Sequence, residues 1–207
     1  MKIYDISQEL LGCEVYEGDP RPQKTTLSSI EGGDLYNLSA ISMCVHNGTH
    51  IDAPSHFIQG GATVDKIRLS RVVGWAYVAE HTGTLDAKAA EDIILRASEK
   101  GKDCARRILI KGDSTVTESG AEAFLKNGVL LVGVESQSVG PVDSPMAVHK
   151  LLLSSEVVLL EGLRLGRVCE GEYFLFAAPI SIEGSDGSPV RAVLVCFDEA
   201  DKEKDTI

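Results

Sequence analysis

The chain has 207 residues, of which 43% are hydrophobic and 25% charged, with 20 glycines and 7 prolines. This is an ordinary globular composition, able to bury a full core without disulfide or metal staples. Lys+Arg 20 against Asp+Glu 31 leaves a net charge of −11, which repels a nucleic-acid backbone or an anionic membrane. No stretch approaches the ~18 uninterrupted apolar residues of a membrane span, and no apolar leader follows Met1-Lys2-Ile3-Tyr4-Asp5. The expectation is a soluble, cytoplasmic protein with no nucleic-acid or membrane partner, folded as one domain over residues 1–207. The five cysteines, Cys13, Cys44, Cys104, Cys169 and Cys196, are odd in number, scattered and never spaced as CxxC. They read as reduced core thiols rather than a disulfide framework or a thiolate zinc site.

In chain order, extended backbone is expected around residues 41–57, with turns at Gly32-Gly33 and Gly60-Gly61. A strand follows at 72–79, then a helix at 86–100 with Ala89, Ala90, Ile93, Ile94 and Ala97 on one face. A strand at 107–111 leads to a shorter helix from about Glu118 to Lys126, stopped by Gly128, and a strand at 129–134 comes next. Ser144-Pro145 forms an N-cap and N1 pair for a third helix through Met146, Val148, Leu151 and Leu152. Strands at 157–161, 173–178 and 190–197 complete the pattern, with Phe174, Phe176 and Ala178 as a core stripe and the charged tail 198–205 left to fray. Strand and helix alternate in the middle while both ends are strand-rich, so the fold class is α/β, a mixed sheet with a few covering helices.

The segment Val45-His46-Asn47-Gly48-Thr49-His50-Ile51-Asp52-Ala53-Pro54-Ser55-His56-Phe57 is the informative one. It places three of the five histidines and one aspartate within eleven positions. Side chains alternate faces in extended backbone, so His46, His50, Asp52 and His56 share one side, and Ile41, Met43, Val45 and Ile51 point to the core. Asn47-Gly48 and Pro54 invite a turn that gathers the ligands, and they also oppose the helical HExxH reading, which lacks its glutamate here. Imidazole nitrogen and carboxylate oxygen suit Zn²⁺ or Mn²⁺, and the carboxylate of Asp52 can bridge two such ions. A bridged pair needs further ligands, for which His149 and Glu161, twelve positions apart, are the best candidates. On the residues alone, His149 reads equally well as an ordinary histidine and Glu161 as an ordinary strand-end carboxylate. His81, Asp19, Asp113 and Glu135 are expected to be surface or turn residues, and Cys44 a core thiol.

These residues resemble the cyclase, or kynurenine-formamidase-like, metal-dependent hydrolase family, whose hallmark His-x-Gly-Thr-His-x-Asp-x-Pro-x-His runs intact from His46 to His56. Tyr4-Asp5-Ile6-Ser7, Glu17-Gly18-Asp19-Pro20, Leu160-Glu161-Gly162-Leu163 and the stretch from Asp186-Gly187 to Arg191-Ala192 extend the similarity over most of the chain. The resemblance implies the swivelling β/β/α type of fold, a homodimer or tetramer, and two divalent ions, zinc first and manganese second. It further implies that His46 and His50 bind one ion, His149 the other, and Asp52 and Glu161 both, with His56 moving the proton. Metal coordination lowers the pKa of a water from about 15.7 to about 7, giving a nucleophile for a small amide, either N-formylkynurenine or a cyclic amide. The alternative is a non-catalytic metal- or ligand-binding protein on the same fold. Where the formamidases carry a pocket tryptophan, this chain has Tyr16, and their Gly-Ile-Asp is here Gly133-Val134-Glu135, followed by Ser136-Gln137-Ser138.

Overall fold

A computed structural model describes residues 1–141, 144 and 146–197. Strands are β1 (Lys2–Asp5), β2 (Gln23–Ser28), β3 (Leu38–Ser42), β4 (His50–Asp52), β5 (Val73–Glu80), β6 (Gly83–Leu85), β7 (Arg107–Lys111), β8 (Ser114–Val116), β9 (Leu131–Val134), β10 (Val158–Glu161), β11 (Gly171–Phe176), β12 (Gly187–Pro189) and β13 (Val193–Cys196). Helices are α1 (Leu69–Val72), α2 (Ala87–Lys100), α3 (Glu118–Lys126) and α4 (Met146–Ser154). Nine strands form one mixed sheet in the order β1-β13-β11-β5-β7-β9-β10-β4-β12. Its centre, β5-β7-β9-β10, is parallel, and the strands on either side join antiparallel. The α/β class and the mixed sheet are as expected.

The parallel centre follows from the helices between its strands. Asp86 accepts the Ala89 N–H at 3.0 Å to start α2, and Gly101 ends it. Thr117 accepts the Gly120 N–H at 3.2 Å to start α3, which stops before Gly128 at φ +72°. Ile93, Ile94, Phe124 and Leu152 of these helices pack on Ile108, Ile110, Val132 and Leu159 of one sheet face. Leu109, Leu131, Val158 and Leu160 point the other way and pack with Ile51, Leu163, Tyr173, Leu175 and Leu194. This alternation gives the sheet two cores, one under the helices and one inside its curl.

Several expectations are corrected. In β11 the buried residues are Tyr173 and Leu175, followed by Ala177, whereas Phe176 is 48% exposed and Phe174 packs edge-on to Trp75 outside. The core stripe therefore has the opposite parity, because the register against β5 sets Tyr173 opposite Ala76 and Leu175 opposite Gly74. Ile41 is exposed rather than in the core, since β3 pairs only with β2 in a hairpin that stands off the main sheet, and Met43 and Val45 are half-buried in the turn that follows. Cys13 and Cys104 are core thiols, but Cys44 and Cys196 are only half-buried and Cys169 is exposed. The N1 position of α4, Pro145, and the tail from 198 onward lie outside the described residues.

Glu170 ties the antiparallel half to α2. Its carboxylate accepts from Tyr77 Oη at 2.7 Å and the Glu80 N–H at 2.9 Å, and it pairs with Arg96. Burial pushes its pKa up, but the hydrogen bonds from Arg96 and Tyr77 prevail and hold it below the ordinary glutamate value. A depressed carboxylate stabilises the fold above its unfolded pKa, and that contribution is lost as the pH falls through the folded pKa. Glu170→Ala is expected to cost about 1–3 kcal/mol at pH 7 and to lose less further stability than the parent below pH ~4. Urea unfolding at the two pH values checks this, and equal losses in both proteins would contradict it.

Candidate metal centre and active site

The site is built on the pairing of β4 with β10. Their antiparallel register sets His50 opposite Glu161, Ile51 opposite Leu160 and Asp52 opposite Leu159. Residues directly opposite share a face, so His50, Asp52 and Glu161 turn together toward the helical layer while Ile51 and Leu160 go to the other core. There α4 presents His149 on the same buried stripe as Val148 and Leu152.

The loop before β4 is held by its own sequence. Asn47 Oδ1 accepts the Cys44 N–H at 3.0 Å, and Gly48 takes φ +66°, which L side chains rarely adopt. Thr49 Oγ1 donates to the Gly162 carbonyl at 2.7 Å and accepts the Gln8 N–H at 2.9 Å, joining this loop to the residue after Glu161. Gly162 is itself required. At φ +70°, a Cβ there would lie 2.2 Å from the Gly48 oxygen. After β4, Pro54–His56 form a 3-10 turn that returns His56 beside His46, their ring centroids 4.0 Å apart.

His46 Nδ1 lies 2.8 Å and His50 Nε2 3.5 Å from Asp52 Oδ1, while His149 Nε2 lies 3.7 Å from Asp52 Oδ2. Glu161 repeats the division, with Oε2 3.4 Å from His50 Nε2 and Oε1 3.2 Å from His149 Nε2. Each carboxylate thus offers one oxygen to either side of the cluster. His50 Nδ1 donates to the Gly48 carbonyl at 3.0 Å, which leaves Nε2 as its donor atom toward the centre. Glu161 Oε1 also accepts the Val139 N–H at 2.8 Å. The triads His46-His50-Asp52, Asp52-His149-Glu161 and, nearer the surface, His46-His56-Asp186 each bring their ligand-type atoms within 4.8 Å of one another.

His50, Asp52, His149 and Glu161 are 1–3% exposed. Two carboxylates and two imidazoles withdrawn from water need cations or shared protons. Burial alone disfavours charge on His50, but Glu161 and Asp52 raise its pKa. Burial would raise Glu161, yet its hydrogen bonds to His149 and His50 hold it below the usual carboxylate range. Burial likewise opposes charge on His46, while Asp52 and Asp186 lift it to about 9. His56 goes the other way. Burial lowers its pKa, and the attraction of Asp52 is partly cancelled by repulsion from His46. The donor set, imidazole nitrogen with carboxylate oxygen, fits a borderline or moderately hard dication such as Zn²⁺ or Mn²⁺.

All seven residues singled out from the sequence line this region: His46, His50, Asp52, His56, His149 and Glu161 converge, and Tyr16 stands at the wall of the same cavity of about 440 Å³. Asp19 and Cys44 also line it, so Cys44 belongs to the cavity wall rather than the core, its Sγ 3.7 Å from Asp19 Oδ2. Glu135 accepts the Gly112 and Leu165 N–H groups and fixes turns, as expected, and His81 lies 3.2 Å from the Thr84 carbonyl. Reading the sequence missed Phe57, Gln137, Ser138 and Asp186 as lining residues. The amide of Gln137 and the hydroxyl of Ser138 are buried with no hydrogen-bond partner among the described residues. Asp186 carried a signal, since Asp186-Gly187 sits in a stretch matching the family.

The Cyclase family model ("Putative cyclase") matches residues 4–141. A kynurenine formamidase from Salinibacter ruber is 35% identical over 94% of this chain and 97% of its own length, and one from Bacillus anthracis is 31% identical over 93% and 97%. A solved structure described as a predicted metal-dependent hydrolase from Bacillus stearothermophilus superposes with a TM-score of 0.77 at 30% identity, covering 93% of this chain and 97% of that one. With its hallmark motif built into the wall of a cavity and the family model covering well over half its length, this chain belongs to the cyclase family.

Proposed function

We propose that the chain is a hydrolase of a small amide, arylformamidase-like, working with two divalent cations, zinc or manganese. His46 and His50 would hold one cation, His149 the other, and Asp52 and Glu161 both. The observation that carries this reading is the division of each carboxylate's oxygens between the two groups of imidazoles. Bound there, dications supply Lewis acidity and lower the pKa of a water to about 7.

The remaining residues bind the substrate and move its protons. His56 lies in the cavity wall with its pKa lowered, so it is neutral near pH 7, free to take a proton and pass it to the leaving nitrogen. Tyr16 and Phe57 offer ring faces to an aryl or cyclic amide, and Gln137 and Ser138 offer unengaged polar atoms for its carbonyl or N–H groups. The kynurenine formamidases at 31–35% identity support an aryl formamide, and a cyclic amide is the second candidate. A homodimer or tetramer belongs to the same reading. It is supported by the β2–β3 hairpin, where Leu27, Ile30, Tyr36, Leu38 and Ile41 are exposed together with Leu35.

Elemental analysis is expected to find two dications per chain, and adding metal at 100 times its dissociation constant to the stripped protein should stabilise it by about 2.7 kcal/mol. Asp52→Ala should abolish that gain in thermal unfolding. A stripped protein whose melting is indifferent to zinc and manganese would overturn the reading. His56→Ala should retain both metals and lose about 10²–10⁴ in kcat on formamides or cyclic amides. Unchanged turnover in that variant would remove the proton-transfer role.

A further inference from the structure

We propose that Asp186 is the positioning residue of this site: it holds the Nε2–H of His46, so that Nδ1 faces the cations, and aligns His56 through the same carboxylate oxygen. The inference deepens the function proposed above and rests on its metal reading. The two nitrogens of His46 face different carboxylates. Nδ1 lies 2.8 Å from Asp52 Oδ1, which also faces His50 Nε2 at 3.5 Å, so Nδ1 is the nitrogen turned toward the buried His50-Asp52 group that would hold the cation. Nε2 lies 2.9 Å from Asp186 Oδ2, on the opposite edge of the ring. A neutral imidazole carries one N–H, and a carboxylate facing it can only accept. A proton kept on Nε2 by Asp186 therefore leaves the Nδ1 lone pair for a cation. Asp186 Oδ2 is also 3.4 Å from His56 Nδ1, and the two rings are tilted by only 31° at 4.0 Å. The same oxygen thus directs the Nε2 of His56 away from Asp186.

The backbone places this carboxylate deliberately. The Asp186 carbonyl accepts the Ala53 N–H at 2.9 Å and the Ser185 carbonyl accepts the Val64 N–H at 2.8 Å, on either side of the His56 turn. Gly187 pairs with Asp52 across β12 and β4, and a Cβ on it would lie 2.6 Å from His46 Cε1. The missing side chain admits the imidazole edge that Asp186 then orients. Asp186 is 49% exposed, so its removal leaves no buried cavity.

The test uses the full chain loaded with zinc and measures histidine ¹⁵N–¹H correlations together with zinc affinity by chelator competition. In the parent, His46 should show a metal-bound Nδ1 and a protonated Nε2. Asp186→Ala should weaken zinc binding by about 10- to 100-fold, mix the His46 signals, and lower kcat with KM unchanged. Asp186→Asn, which keeps an accepting oxygen, should restore the tautomer and part of the affinity. A His46 bound through Nε2, or an alanine variant with parental affinity and parental histidine signals, would overturn the positioning role while leaving the dinuclear reading intact. Loss of one whole zinc in the alanine variant with His46 signals otherwise parental would also overturn it, because Asp186 would then be a ligand. A parent protein that takes up neither zinc nor manganese removes both readings together.

Discussion

The burial of opposite-natured ligands in one small volume is the constraint on which this molecule turns. Asp52 and Glu161, with His50 and His149 against them, lie out of water where an uncompensated carboxylate costs several kcal/mol. What makes this tolerable is register. With His50 opposite Glu161 across two hydrogen-bonded strands, neither acid can be displaced without unpairing β4 from β10. A one-residue slip would exchange Asp52 for Ile51 and put an apolar side chain in the cluster and a carboxylate in the hydrophobic core. The geometry of the site is in this sense a property of the sheet.

The two halves of the sheet have separate work. The parallel strands, crossed over by α2, α3 and α4, supply a rigid floor and bring His149 down from above. Three strands beyond the floor's other side, β11, β13 and β1, close the second core around Leu175 and Leu194 and carry no member of the ligand cluster. The buried His/Asp/Glu cluster sits at the junction where β4 reverses the strand direction after β10 and short loops replace helices.

Much of this is legible in the sequence. Periodicity and the stop at Gly128 locate α2 and α3 to within a residue, and the structure adds the caps Asp86, Gly101 and Thr117. The even-numbered His46, His50, Asp52 and His56 converge, though by the turn at Gly48 and the 3-10 turn at Pro54 more than by strand alternation. Apolar character alone does not decide burial. Ile41 and Phe176 follow strand parity, but which face is covered depends on partners far along the chain, and β3 has only β2 beside it. Asp186 is not visible locally in the sequence for a related reason. It is separated by 140 positions from His46, and only the pairing of β12 with β4 makes them neighbours.

That last strand has a consequence of its own. β12 ends the sheet beside the ligand strand, and it is three residues long and finishes at Pro189, a residue with no amide hydrogen to offer. An open sheet border is ordinarily a template on which foreign strands can grow, and the border here is both brief and chemically blunted. The ligand-bearing strand is therefore kept one place inside the margin, shielded from intermolecular aggregation.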